Sequence, residues 1–74
     1  MSRLIRMDRS GHTTLAEWTV ADSESTEQAV SAFRRELDNG MLASATRADR
    51  TAEVVRELPL DAELVVLRRP IAGG

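Results

Sequence analysis

Apolar positions recur at period two over residues 3–8 (RLIRMD) and 13–20 (TTLAEWTV), with the turn residues Ser10 and Gly11 between them. Two such runs joined by a short turn predict a hairpin. Alternation assigns Ile5 and Met7 to one face of the first strand, and Ala16, Trp18 and Val20 to one face of the second. A single buried face follows, with Trp18 read as core rather than as an exposed anchor.

The period then changes. In ADSESTEQAVSAFRRELDNG, Val30, Phe33 and Leu37 fall at i, i+3 and i+7 with Ala29 and Ala32 beside them, which predicts a helix with one apolar side. Ser25 and Gln28 have capping-box spacing, and Glu24 and Glu27 sit where the positive end of the helix dipole favours anions. Gly40 can take the left-handed conformation that closes a helix.

MLASATR (41–47) and AEVVREL (52–58), separated by ADRT, read as a second hairpin. A helix through TAEVVREL capped by Asp49 is the open alternative, because the run is too short for periodicity to arbitrate. Pro59 ends it in either case. The unbroken aliphatic centre of ELVVLRR predicts a strand in the interior of a sheet. The order is strand, strand, helix, strand, strand, strand: an α+β domain with one helix covering one face of a mixed sheet.

Composition narrows the chemistry. Seventy-four residues make one domain, and a chain of that size buries only about 60% of the surface it exposes when unfolded. With no cysteine there is no disulfide, thiolate metal site or thiol nucleophile. A net charge of −2 provides no long-range attraction for nucleic acid or an anionic bilayer. The opening MSRLIRM lacks an apolar signal region, and Leu64 to Leu67, the longest aliphatic run, is too short to span a membrane. The expectation is a cytoplasmic protein with no nucleic-acid or membrane partner. All ten basic residues are arginine. Codon usage accounts for this, as does a protein that offers no lysine of its own for chain growth.

Catalytic constellations do not form. His12 is the only histidine and falls in the expected turn, so zinc binding lacks convergent ligands, and the serines find no histidine base at helical spacing. Asp22, Glu24 and Glu27 are explained by the helix start. Arg34 lies near the apolar stripe, where its stem can cover the core edge. No catalytic residue and no metal site is expected.

What remains is the end, RRPIAGG, preceded by PLDAELVVL. The element order, the length and the two final glycines resemble the β-grasp, or ubiquitin-like, superfamily. The stretch PLDAELVVLRRPIAGG is similar to the small sulfur carrier proteins of molybdopterin and thiamine biosynthesis. In those, an acidic turn (here Asp61 and Glu63) leads to the last strand (Leu64 to Leu67) and a proline-containing Gly-Gly tail (Pro70 to Gly74). Arg68 and Arg69 depart from that pattern and are closer to ubiquitin's own basic tail.

The resemblance implies a ββαβββ β-grasp domain over residues 1–69 and a flexible tail over 70–74. It implies a carrier or modifier, not an enzyme, whose Gly74 carboxylate is adenylated by an E1-like partner using ATP and magnesium; no cofactor is bound to the chain itself. The activated glycine would then carry sulfur as a thiocarboxylate to an acceptor or be conjugated to a target. Gly73 and Gly74 are the activation residues, and Arg68, Arg69, Pro70, Ile71 and Ala72 the stretch gripped by the partner. An α-carboxylate is ionised at neutral pH and is a poor acyl donor, which is why activation is needed. Glycine leaves the carbonyl unhindered, and Pro70 stiffens the exit of the tail. The other reading is a non-catalytic interaction or assembly protein, such as a virion or complex subunit, docking through a sheet edge or apolar patch.

Overall fold

The computed structural model describes residues 1–46 and 51–70. Five strands and one helix follow in the order β1 (Ser2–Asp8), β2 (Gly11–Trp18), α1 (Ser23–Asp38), β3 (Leu42–Thr46), β4 (Ala52–Val55) and β5 (Leu64–Arg68). The strands form one mixed sheet in the order β2-β1-β5-β3-β4. β5 is therefore the central strand, as its aliphatic run predicts. It lies parallel to β1 and antiparallel to β3, and the β1–β2 and β3–β4 pairs are antiparallel hairpins. Residues 52–55 form a strand and not a helix. The proposed cap at Asp49 lies outside the described residues.

One face of the sheet receives the helix. Val65 and Leu67 of β5, Leu4 of β1, and Ala43 and Ala45 of β3 are buried against Ala29 and Phe33, with Trp18, Met41 and Ala62 closing the cluster. Trp18 is buried to 1% exposure, and its Nε1–H donates to the Leu60 carbonyl at 3.1 Å. That bond ties the segment before β5 to the end of β2. Alanine at 29, 43, 45 and 62 provides little side-chain bulk, so the helix can approach the sheet closely and the two aromatic rings fill the remaining space.

Three expectations are corrected. On β1 the residue facing the helix is Leu4; Ile5 is buried, at 8% exposure, but on the opposite face with Met7. Alternation sends Ile5 and Met7 to the outer face, where Ile5 lies between Thr14 and Val66 in the register and Met7 is exposed. On β2 the strand ends at Trp18, leaving Val20 in an exposed turn. The pairs Leu4–Ala16 and Ile5–Thr14 leave Leu15 as an extra residue, a bulge that turns both Leu15 and Ala16 toward the core.

The helix begins earlier than the capping-box spacing suggests. Asp22 is the N-cap, accepting from the Glu24 N–H at 3.2 Å, while Ser25 Oγ donates to the Asp22 carbonyl and accepts from the Thr19 N–H. The buried stripe is Ala29, Phe33 and Glu36, with Val30, Ala32 and Leu37 half-buried at its sides. The stripe is thus rotated toward a charged residue. At the other end Gly40 has φ +87, and its N–H donates to the Leu37 carbonyl at 2.9 Å. A Cβ there would meet no atom within 4 Å, so the preference for glycine at this position is purely a backbone preference.

No helix among the described residues is long and apolar enough to cross a membrane.

Candidate functional site

Because β5 is central and parallel to β1, its C-terminal end leaves the middle of the sheet beside the end of β1. Leu67, opposite Arg6, is the last buried residue of the strand; Arg68, opposite Leu42, is exposed. Arg69 and Pro70 follow, both exposed and outside the strand. Proline has no N–H to donate to a ladder, so pairing stops where the chain turns out. Of the residues expected to form the site, Arg68, Arg69 and Pro70 stand at this exit. Ile71, Ala72, Gly73 and Gly74 lie outside the described residues.

The exit opens onto a cleft that sequence reasoning did not anticipate. Residues 6–10 form one wall, Glu36, Asn39 and Met41 at the end of α1 form another, and Arg68 and Arg69 complete it. Its centre is the ion pair of Arg6 Nη1 and Glu36 Oε1 at 3.0 Å. The Glu36 side chain is 10% exposed and that of Arg6 41%. A carboxylate near a helix C-terminus is disfavoured by the helix dipole, and burial adds a desolvation cost. Arg6 offsets both, and it does so from another element, thirty residues away. The pair therefore fixes the end of α1 to β1 at the rim where the chain leaves the sheet.

The turn between β1 and β2 forms the rim beside this pair. The Asp8 carboxylate accepts from Ser10 N–H at 2.8 Å and from Ser10 Oγ–H at 2.6 Å. The turn itself is Arg9 and Ser10; Gly11, at φ +126, and His12 already belong to β2. The Ser10 hydroxyl, then its N–H, with lesser help from Arg6 and the Gly11 N–H, hold the Asp8 carboxyl below the usual carboxylate range against an opposing desolvation. Since the folded value is the lower one, this group's contribution to stability is present above the unfolded value and is lost as pH falls through the folded one. Ser10→Ala is expected to raise the Asp8 value while leaving the Ser10 N–H contact in place. A carboxyl-carbon NMR titration checks this, and an unmoved midpoint would show that the hydroxyl does not set it.

Four arginines against two acidic residues make the lining of the site cationic. Among the described residues no group of three or more histidine, aspartate or glutamate side chains is placed to hold a metal ion, and no buried side-chain nitrogen or oxygen lacks a partner. His12 is exposed on β2, opposite Met7. Asp22 and Glu24 serve the start of the helix. Arg34 is exposed.

No family model, curated protein or solved structure matches this chain.

Proposed function

We propose that the protein is a β-grasp carrier or modifier, the substrate of a partner enzyme and not itself an enzyme, acting through the carboxylate of Gly74. The observation that carries this reading is the position of β5. The last strand is the central one of the sheet, so its chain is anchored up to Leu67, and Arg68, Arg69 and Pro70 after it are exposed. The order of two strands, helix and three strands, with the helix on one sheet face, supports the same superfamily.

In the proposed chemistry, a Gly74 carboxylate oxygen attacks the α-phosphorus of magnesium-bound ATP and pyrophosphate leaves, giving the acyl-adenylate. A sulfur nucleophile then attacks the carbonyl carbon and AMP leaves. Sulfide gives a thiocarboxylate, and a cysteine thiolate of the partner gives a thioester competent for conjugation. Gly73 and Gly74 present no side chain to the approaching nucleophile. Arg68, Arg69 and Pro70, with Ile71 and Ala72, form the stretch the partner holds.

A second reading, an assembly subunit, is favoured by the outer sheet face. There Leu42 and Val54 are 47% and 72% exposed beside half-buried Leu64 and Val66. Incubation with ATP, magnesium and the cognate activating enzyme, followed by intact-protein mass, separates the two. The carrier reading expects one terminal oxygen replaced by sulfur, or attachment to a second protein. An unchanged mass with an enzyme proven active on another carrier, together with concentration-dependent self-association, would establish the assembly reading instead.

A further inference from the structure

We infer that the cleft at the end of β5 docks an acidic segment of a partner protein. Four of the ten arginines, Arg6, Arg9, Arg68 and Arg69, line it, against two acidic residues, Asp8 and Glu36. Glu36 is paired with Arg6, while Asp8, held ionised by Ser10, keeps its charge, so four arginines and two carboxylates leave the lining at net +2. Arg9, Arg68 and Arg69 are exposed and make no ion pair among the described residues. A protein of net charge −2 therefore gathers an excess of guanidinium groups at one end of its sheet.

The topology sharpens this asymmetry. β1 and β5 both end at the cleft, while the described residues of the opposite end carry Asp22 and Glu24 at the start of α1, Asp61 and Glu63 before β5, and Glu17 of β2, which is paired with Arg3. Among the described residues the charge is thus net positive at the cleft and net negative at the opposite end. An acidic partner segment is attracted to the first and repelled by the second, which orients its approach as well as strengthening it.

The shape favours a polypeptide over a small anion. The cleft is open, with a volume of about 1360 Å³, above the roughly 300–1,000 Å³ of small-molecule sites. Its free arginines are solvent-exposed on different strands and turns, and none is buried around a single point. Met7 and Met41 contribute apolar lining between the charges, so carboxylates alternating with aliphatic side chains match it. Arginine presents a planar fork that accepts a carboxylate in two parallel hydrogen bonds, which suits such a segment.

This inference deepens the carrier reading by naming the chemistry of its partner, and rests on that reading only for which protein supplies the segment. The test needs neither ATP nor an activating enzyme, so its failure is separate from a failure of activation. A synthetic peptide of alternating glutamate and leucine is titrated into the full chain and followed by backbone-amide NMR. Shifts are expected at residues 6–10, 39–41 and 68–69, weakening as salt is raised. Arg9→Glu combined with Arg69→Glu is expected to lower the affinity at least about tenfold. Arg34→Glu, exposed on the helix and outside the cleft, is expected to leave it unchanged. Both variants are checked for native circular dichroism, and the double neutral variant Arg9→Gln, Arg69→Gln provides a second readout should reversal perturb the fold. Equal losses from Arg34→Glu and the cleft variants, or shifts centred elsewhere, would overturn the proposal. So would inorganic phosphate displacing the peptide through the same amides at low millimolar concentration, which would mark a small-anion site.

Discussion

Trp18→Ala is expected to remove about 3–5 kcal/mol of stability, the range found when a buried large aromatic is cut back in a core. For a chain of 74 residues, where total stability is about 0.05–0.15 kcal/mol per residue, this is a large part of the whole. The midpoint of thermal unfolding should fall by about 12 °C or more. Two terms contribute. The ring is buried among Leu4, Phe33 and the small residues of the core, where neighbouring backbone cannot collapse to fill the void. Its Nε1–H also holds the Leu60 carbonyl, which positions the turn leading into β5.

Trp18→Phe separates these terms. It keeps most of the apolar burial and deletes the donor, and because Leu60 is partly exposed its carbonyl can turn to water. A loss of about 1 kcal/mol is expected for that variant, in keeping with a single neutral hydrogen bond. Urea unfolding of both proteins measures the difference. A Trp18→Ala protein within 1 kcal/mol of the parent would mean that Trp18 does not anchor the core.

The elements that the sequence displays most plainly are those specified locally. The strand at 64–68 is legible from its unbroken aliphatic centre, and the helix from its stripe and from Gly40, whose positive φ closes it. Burial of Trp18 follows from its size and from the shortage of other large apolar residues. What remained illegible depends on partners distant in the chain. Leu4 and Ile5 are adjacent and equally apolar, so alternation alone could not choose which of them faces the helix. The bulge at Leu15 further removes the regular period from β2. At the helix start, Asp22, Ser23 and Ser25 are all competent caps. The Asp22 N–H to Thr19 carbonyl turn, which delivers the chain from β2, selects the first.

The cleft illustrates the same limit more sharply. Glu36 lies three residues after Phe33, on the buried side of the helix, yet a charged residue in an apolar stripe reads as exposed until a counter-charge is placed beside it. That counter-charge, Arg6, belongs to β1. Arg9 meets Arg68 and Arg69 only because β1 and β5 pair in parallel, and strand order is not written in any local pattern. A useful signal was nonetheless present. Arg6 sits at an alternate position to Leu4, so once Leu4 is placed against the helix Arg6 shares that side of the sheet, where Glu36 can meet it.

Removal of Gly74 is expected to abolish activation while leaving the fold intact, and the two halves of that statement rest on different physics. The last buried side chain of the terminal strand is Leu67, and both Arg69 and Pro70 are exposed, so the core and the strand pairs of the described residues precede the change and the thermal midpoint is expected not to move. Activation in the proposed reaction, by contrast, requires the terminal carboxylate at near-attack distance from a phosphorus held by another protein. Deleting one residue retracts the reacting carbon by up to about 3.3–3.6 Å, and a misplacement of only about 1 Å can lower a positioned reaction on the order of 100-fold. ATP–pyrophosphate exchange with the partner enzyme should therefore drop by at least about 100-fold. An alanine added after Gly74 should act similarly, since it moves the carboxylate outward and places a Cβ beside it. Undiminished exchange in the shortened chain would show that the acyl group is not the Gly74 carboxylate, and a lowered thermal midpoint would show that the terminal residues contribute contacts to the domain.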